Sequence, residues 1–169
     1  MGKKYKLTDE TINLCGKKLC RIKALKDFED VKKGDKGGFI EDEHNLSHDG
    51  NSWVDGNAMV YGDAWVYGDA MVYGDACVYG NACVYGDACV CGNIKIENNF
   101  DYIVFKNWWS SGRYFTWTRS NDMWKVGCFY GTGEELIKKA YKDSELSGRQ
   151  YERIVKYVEE IKKENGKEI

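Results

Sequence analysis

The stretch Gly62-Asp63-Ala64-Trp65-Val66-Tyr67 is one of eight six-residue units that follow one another without insertion from Gly50 to Glu97. Each unit starts with Gly and then Asn or Asp, and its fifth residue is aliphatic. A period of six fits neither a helix nor a hairpin, but it fits a short strand followed by a turn. Because Gly and Asn or Asp tolerate turn dihedrals, we expect a coil with a corner every six residues and Val and Ala inside.

The run Val60-Tyr61-Gly62-Asp63-Ala64-Trp65 resembles the hexapeptide-repeat family, with its aliphatic residue, less constrained residues and small residue. The resemblance implies a left-handed parallel β-helix with three hexads per triangular coil, so that residues 18 apart stack on one face. Eight units then give fewer than three full coils. We predict a mainly β fold with this short left-handed parallel β-helix over 50–97, an N-terminal β-hairpin cap over 1–49 and a small α+β module over 98–169.

The outward positions of the predicted coils are unusually apolar. A contiguous exposed apolar patch normally marks an interaction surface, and the resemblance implies side-by-side packing, because proteins with these coils are commonly trimers. We therefore predict a homotrimer. Its contacts would come from Trp53, Met59, Tyr61, Trp65, Tyr67, Met71, Tyr73, Tyr79 and Tyr85. The alternative is that the tyrosines stack on one another along the solenoid.

Seven cysteines, an odd number, indicate reduced thiols rather than a disulfide framework. Cys77, Cys83 and Cys89 lie six residues apart, so each belongs to a different face and the three cannot bind one metal ion. Cys89 and Cys91 flank Val90 and are expected to face outward together. We predict no metal site and no cofactor.

Charge is unevenly distributed although the net charge is only −2. Residues 37–100 contain one lysine and ten acidic residues, whereas both flanking segments are net positive. A near-neutral chain gives no general reason to expect nucleic-acid or membrane binding. The sequence has no apolar run of membrane-spanning length and no signal-peptide core, so we predict a cytoplasmic protein, in the host cell if it is phage-encoded.

The N-terminal segment is predicted to form a hairpin, with strands at 5–8 and 19–22 and a turn at 16–18. It resembles proteins of unknown function that are common in phages and prophages. These share an opening like Tyr5-Lys6-Leu7-Thr8, a Gly37-Gly38-Phe39-Ile40 motif and an Asn45-Leu46-Ser47 stretch before their hexads. The resemblance covers residues 5–97 and implies phage origin more strongly than any activity.

The C-terminal segment is predicted to contain strands at 101–105, 113–119 and 123–129, the last two joined as a hairpin. Capping boxes at Thr132–Glu135 and Ser147–Gln150 predict two amphipathic helices, the second ending at Asn165-Gly166. The tryptophans at 108, 109, 117 and 124 are expected in the core of this module and at its contact with the solenoid.

Cations and aromatic residues alternate in the predicted hairpin, which makes it a candidate site for a small anionic, nucleotide-like ligand. The candidate ligand-binding residues are Arg113, Trp117, Arg119, Trp124 and Lys125. The same alternation also fits ordinary charged residues on the solvent side of a strand.

Many hexapeptide-repeat proteins are acyltransferases that use acyl-CoA, with a histidine as general base. The repeat here contains no His, and the two histidines, His44 and His48, lie in the capping segment. They are catalytic candidates only for that activity. We therefore favour a non-catalytic, trimeric binding or scaffold protein of phage type that sequesters a small ligand or blocks a host defence protein. An acyltransferase and a structural virion or assembly component are the alternatives.

Overall fold

A parallel β-solenoid lies between an antiparallel hairpin and an α+β module in the computed structural model, which describes residues 2–165. Three strands precede the hexads: β1 (Tyr5–Leu14), β2 (Lys17–Ala24) and β3 (Lys36–Ile40). Eight short strands follow, one per hexad: β4 (Trp53–Val54), β5 (Met59–Val60), β6 (Trp65–Val66), β7 (Met71–Tyr73), β8 (Cys77–Val78), β9 (Cys83–Val84), β10 (Cys89–Cys91) and β11 (Lys95–Ile96).

Strands 18 residues apart pair in parallel, so each coil holds three strands and the solenoid has three faces. Face 1 consists of β5, β8 and β11, face 2 of β4, β7 and β10, and face 3 of β6 and β9. The cysteines of the hexads lie on three different faces, as predicted. Their register partners are Met59 for Cys77, Trp65 for Cys83 and Met71 for Cys89.

Two sets of small apolar side chains fill the interior of the solenoid. Every aliphatic fifth-position side chain is fully buried: Val54, Val60, Val66, Val72, Val78, Val84, Val90 and Ile96. The alanines at the third position are buried with them. The hexad glycines form the corners with φ between 62° and 85°, the left-handed region that other residues rarely adopt.

The solenoid begins earlier than the hexads do. Ile40 pairs with Val60 and Leu46 with Val66, so both residues occupy the aliphatic column of a preceding coil. These pairs are 20 residues apart because two extra residues lie between Leu46 and Val54, and the six-residue period is lost there. With these two positions the chain completes three full coils, where eight hexads predicted fewer than three.

The N-terminal hairpin continues face 1 and closes the first coil. β1 pairs with β2 and β2 with β3 in antiparallel register, and β3 pairs in parallel with β5. The hairpin turns at Cys15 and Gly16, which both have positive φ. Tyr5, Ile22 and Ala24 pack into the same core as the solenoid interior, so the predicted hairpin cap is confirmed.

The C-terminal module is a four-stranded antiparallel sheet followed by two helices. Its strands, in sheet order, are β12 (Tyr102–Lys106), β13 (Tyr114–Thr118), β14 (Met123–Val126) and β15 (Phe129–Gly131), and its helices are α1 (Gly133–Asp143) and α2 (Glu145–Asn165). Strand alternation places Tyr102 and Val104 in the solenoid core and Ile103 and Phe105 against the helices. The sheet therefore lies between the last coil and the helix pair.

In the N-terminal hairpin the turn predicted at 16–18 lies at Cys15 and Gly16, and Lys17 begins β2. Two elements of the module also differ from the prediction. The strand predicted over 123–129 is divided, because Gly127 has φ of +55° and turns the chain into β15. The second helix begins at Glu145 instead of after Ser147, and the Ser144 hydroxyl accepts a hydrogen bond from the Ser147 N–H at 3.1 Å. The capping box of Thr132 and Glu135 at the start of α1 is confirmed.

The predicted tryptophan core is also only partly correct. Trp117 and Trp124 are buried, and Trp109 packs against the same cluster. Trp108 is 71% exposed and contacts the edge of Trp109. The predicted helix end at Asn165-Gly166 lies partly outside the described residues, because Gly166 is not among them.

Candidate functional site

Face 2 is covered largely by the chain's own segments, although its outward residues were predicted to form a partner surface. Trp53 is only 2% exposed, because Tyr5 and Phe28 of the N-terminal segment pack edge-on against its ring. Met71 is half-buried against the core. The prediction of an open Trp53 is therefore wrong, since the cap covers the start of this face.

The far end of face 2 meets the C-terminal module. The Cys89 thiol lies 3.5 Å from the Tyr73 hydroxyl, and the Lys125 ammonium group lies 6.0 Å from the Tyr73 ring centroid. Burial raises the pKa values of Tyr73 and of the Cys91 thiol above their usual ranges. Cys89 and Cys91 flank the fully buried Val90 and both lie next to the Tyr73 side chain, so they face outward from the coil together, as predicted. Cys91 is nevertheless buried, because β13 and β14 of the module pack over β10.

Face 1 carries a tyrosine pair and is extended by the hairpin. Tyr61 and Tyr79 stack with ring centroids 5.3 Å apart and an interplanar angle of 6°. Met59 is half-buried beside them. Each tyrosine ring thus covers one face of the other, which is the stacking along the solenoid that the sequence left open as an alternative.

Face 3 has the most open aromatic surface of the three. Trp65 is 43% exposed and Tyr85 is 50% exposed, although Tyr67 lies between them. The Tyr67 ring stacks 4.1 Å from Trp65 and 5.2 Å from Tyr85, measured between ring centroids. We call these three residues the aromatic strip. It combines stacking along the solenoid with two ring systems that remain open to solvent.

A cleft of about 450 Å³ lies at the C-terminal end of this strip, between the last coil and the module sheet. Tyr85 and Asp87 line it from the solenoid, and Tyr102 and Tyr114 line it from β12 and β13. Tyr102 forms its inner wall, because this residue is 9% exposed and its hydroxyl donates to the Cys83 carbonyl at 2.7 Å. Burial raises the pKa of Tyr102, so its hydroxyl stays protonated.

The structure does not assemble the ligand site predicted in the module. Trp117 and Trp124 are each 2% exposed and pack in the core beneath the helices, so neither ring face is open to a nucleotide. The Trp117 indole N–H donates to the Asp122 carboxylate at 2.9 Å. Arg113 and Arg119 are exposed, and Lys125 is half-buried next to Tyr73. The buried aromatic side of the sheet packs against the helices, Arg113 and Arg119 lie just beyond the two ends of β13, and Lys125 lies next to the solenoid.

Neither histidine offers the free nitrogen of a general base. The Nε2 atom of His44 lies 2.9 Å from the Gly62 carbonyl oxygen, and this contact, together with Asp42, raises the pKa of His44. The Nδ1 atom of His48 accepts the Lys4 N–H at 3.2 Å, and its Nε2 atom is buried. A general base must present an unprotonated nitrogen to its substrate, so this arrangement does not support the acyltransferase alternative.

Among residues 2–165 no three His, Cys, Asp or Glu side chains are placed to hold a metal ion. Two corner carboxylates accept hydrogen bonds from asparagines of the preceding coil. Asp75 accepts from the Asn57 side-chain amide at 3.2 Å, and Asp69 accepts from the Asn51 backbone N–H at 3.3 Å. No helix of the described part of the chain is long and apolar enough to cross a membrane.

The cleft residues Asp87, Asn99, Tyr102 and Tyr114 were not identified from the sequence. Tyr102 was recognised only as part of a strand, and nothing in its spacing from Tyr85 indicates that the two meet. Their proximity depends on how the module packs on the last coil, and a repeat pattern that ends at Glu97 carries no information about that packing.

Comparison with known proteins supports the solenoid. The family model described as the YdcK beta solenoid repeat matches residues 56–68, which contain the corner glycines Gly56, Gly62 and Gly68. No curated protein matches the sequence. The chain is therefore a repeat β-helix protein by its own pairing pattern and by this local similarity.

Proposed function

We propose that this protein is a non-catalytic binding scaffold that assembles as a homotrimer through the aromatic strip on face 3. The observation that carries the proposal is the contrast between the faces. The hairpin cap and the module cover much of face 2 and the hairpin extends face 1, whereas Trp65 and Tyr85 remain open on face 3. Aromatic residues are enriched in the cores of protein interfaces.

The proposed occupant of the strip is a second copy of this chain. A face of short, regular parallel strands presents the same spacing in every copy, so identical faces pack side by side without rearrangement. The resemblance to hexapeptide-repeat proteins supports three copies around one axis. The proposal places Trp65 near the centre of each contact, because its large ring stacks on Tyr67 and is held in one orientation.

The biological role we propose is that of a phage protein that occupies a host defence protein in the cytoplasm. The resemblance of residues 5–97 to phage and prophage proteins supports this role. The burial of Trp117 and Trp124 favours a protein target over a nucleotide-like ligand held in the module.

The solution mass tests the assembly. Light scattering coupled to size-exclusion chromatography is expected to give three times the chain mass at micromolar concentration. Trp65→Ala is expected to weaken association by at least about 10-fold and to shift the mass towards one chain. Trp108→Ala is the matched control, because Trp108 is an exposed tryptophan outside the strip. A monomeric wild-type protein, or equal masses for both variants, contradicts the assembly.

The proposed role needs a separate experiment. Expression of the chain in bacteria that carry a defined defence system is expected to raise the plating efficiency of a phage which that system restricts. Trp65→Ala is expected to lose this effect and Trp108→Ala to retain it. Unchanged plating across a panel of defence systems contradicts the host-defence role but leaves the trimer measurement valid.

A further inference from the structure

The cleft at the end of the aromatic strip has the chemistry of a site for organic cations. Its lining contains three tyrosines, one aspartate and one asparagine, and no lysine, arginine or histidine. The tyrosines come from three separate segments: Tyr85 directly follows β9, Tyr102 lies in β12 and Tyr114 lies in β13. Its volume of about 450 Å³ is within the range of small-molecule sites.

Two tyrosine rings present open faces to this space. Tyr67 lies one coil earlier and covers one face of Tyr85, with the two rings 8° from parallel. The opposite face of Tyr85 is therefore turned towards the C-terminal end of the solenoid, where the cleft lies. Tyr114 is 43% exposed on the other side, from β13. The buried Tyr102, held by Cys83, fixes the wall between them.

The charge of the lining selects the ligand class. The negative face of an aromatic ring attracts a cation, and the attraction is strongest for cations that are weakly hydrated. The chain itself gives an example, because the Lys106 ammonium group lies 5.5 Å from the Tyr114 ring centroid. Asp87 adds a carboxylate to the lining. An anionic ligand would meet this carboxylate without any cation among the lining residues.

We propose that the cleft binds a quaternary ammonium group, with Tyr85 and Tyr114 contacting its methyl groups and Asp87 balancing its charge. The lining residues all come from one chain, and Tyr85 belongs both to this lining and to the aromatic strip. A quaternary ammonium ion is weakly hydrated and donates no hydrogen bond, which matches walls made mainly of tyrosine rings and of Val104.

NMR titration of the full chain with choline tests the proposal, with the tyrosine rings isotopically labelled. Saturable shifts of Tyr85 and Tyr114 are expected. The neutral isostere 3,3-dimethylbutan-1-ol, which replaces the nitrogen by carbon, is expected to bind at least about 10-fold more weakly. Equal affinity for the two probes shows an apolar pocket and overturns the proposal, as does the absence of saturable shifts with choline.

Variants separate the cation site from non-specific binding. Asp87→Asn is expected to weaken choline binding about 3-fold or more, and Tyr114→Leu about 5-fold, without a matching loss for the neutral isostere. Tyr157→Leu is the control, because Tyr157 is 54% exposed on α2, away from the cleft lining. Asp87 is exposed, so its replacement is compatible with folding even if Tyr114→Leu is not. Unchanged affinity in Asp87→Asn contradicts the role of the carboxylate.

The Lys106 ammonium group provides a test of whether the cleft prefers a cation or an anion. Lys106→Met removes a positive charge close to Tyr114, so choline binding is expected to become about 2-fold tighter or more. A ligand site for anions would respond in the opposite direction. Weaker choline binding in Lys106→Met therefore contradicts the proposal.

Discussion

The ammonium group of Lys4 lies 2.7 Å from the carbonyl oxygen of Ser52, at the open edge of the first coil. Within the solenoid each coil donates its backbone N–H groups to carbonyls of the next coil, as Trp53 donates to Ala70. No earlier coil donates hydrogen bonds to the carbonyl groups of the first coil, so the cap must supply the donors. The Tyr5 hydroxyl does the same for Leu46 at 2.7 Å.

The last coil has the opposite requirement, because no later coil provides carbonyl groups that could accept hydrogen bonds from its N–H groups. Side-chain oxygens of the C-terminal segment accept from one N–H on each face. Asn99 accepts from Cys83 at 2.7 Å, Thr116 from Cys89 at 3.0 Å and Ser120 from Lys95 at 3.1 Å. The polarity of a parallel solenoid therefore determines that one cap carries donors and the other carries acceptors.

Replacement of Lys4 by methionine is expected to destabilise the protein by about 2 kcal/mol at pH 7, because it leaves the buried Ser52 carbonyl without a donor. Lys6→Met is the control, since Lys6 is exposed, and it should change the free energy of unfolding by less than about 0.5 kcal/mol. Urea denaturation of the three proteins measures both values. Similar stabilities for the two variants contradict the capping role.

The stability of the wild-type protein is expected to respond to pH through Lys4. Burial lowers the pKa of Lys4 from 10.5 to about 8 in the folded state. Between these values the unfolded chain binds the proton more tightly, so stability rises with pH across that window. From pH 7.5 to 9.5 the gain from this group is about 2 kcal/mol.

The comparison with Lys4→Met isolates this gain from other titrations. Burial raises the pKa of Tyr5, so its contribution is present below its unfolded pKa near 10 and is lost as pH rises further. That loss occurs in both proteins. Urea denaturation at pH 7.5 and 9.5 should show a gain in the wild type relative to Lys4→Met. An equal response of the two proteins means that Lys4 does not titrate in this range.

The solenoid could be predicted because its information is local and repeated. Each hexad carries the turn residues and the buried aliphatic side chain of its own corner, so the register of Met59 with Cys77 follows from counting. The first coil could not be predicted, because the two extra residues after Leu46 interrupt the six-residue period. There the pairing of Leu46 with Val66 is visible only in the structure.

The candidate site was less predictable because it depends on long-range packing. The sequence correctly placed aromatic residues outside the coil, and Trp65 and Tyr85 are exposed. It did not show that the cap would cover Trp53, since an outward direction from the coil does not imply contact with solvent. The alternation of residues 113–119 was also ambiguous about which side of the strand faces the helices, and the structure places Trp117 there.

Thr116→Val is expected to destabilise the protein by about 1 to 2 kcal/mol, because Thr116 is fully buried and its hydroxyl is the acceptor for the Cys89 N–H. Valine keeps the shape of threonine, so the effect reports the lost hydrogen bond. Thr116→Ser retains the acceptor and should lose less. Hydrogen exchange of the Cys89 amide should be faster in the valine variant alone, and unchanged exchange contradicts the assigned contact.

Gly37→Ala is expected to be the most disruptive glycine substitution in the N-terminal segment. A Cβ atom at this position would lie 2.5 Å from the Val54 carbonyl oxygen and 2.6 Å from side-chain atoms of Ile22 and Trp53. No side-chain rotation relieves a clash with the backbone, so we expect the free energy of unfolding to fall by about 3 kcal/mol.

Gly86→Ala separates crowding from backbone strain. Gly86 has φ of +63° and nothing within 4 Å of its added Cβ, so that variant should lose only about 1 kcal/mol. If the denaturation midpoint falls equally in both variants, crowding does not explain why position 37 requires glycine.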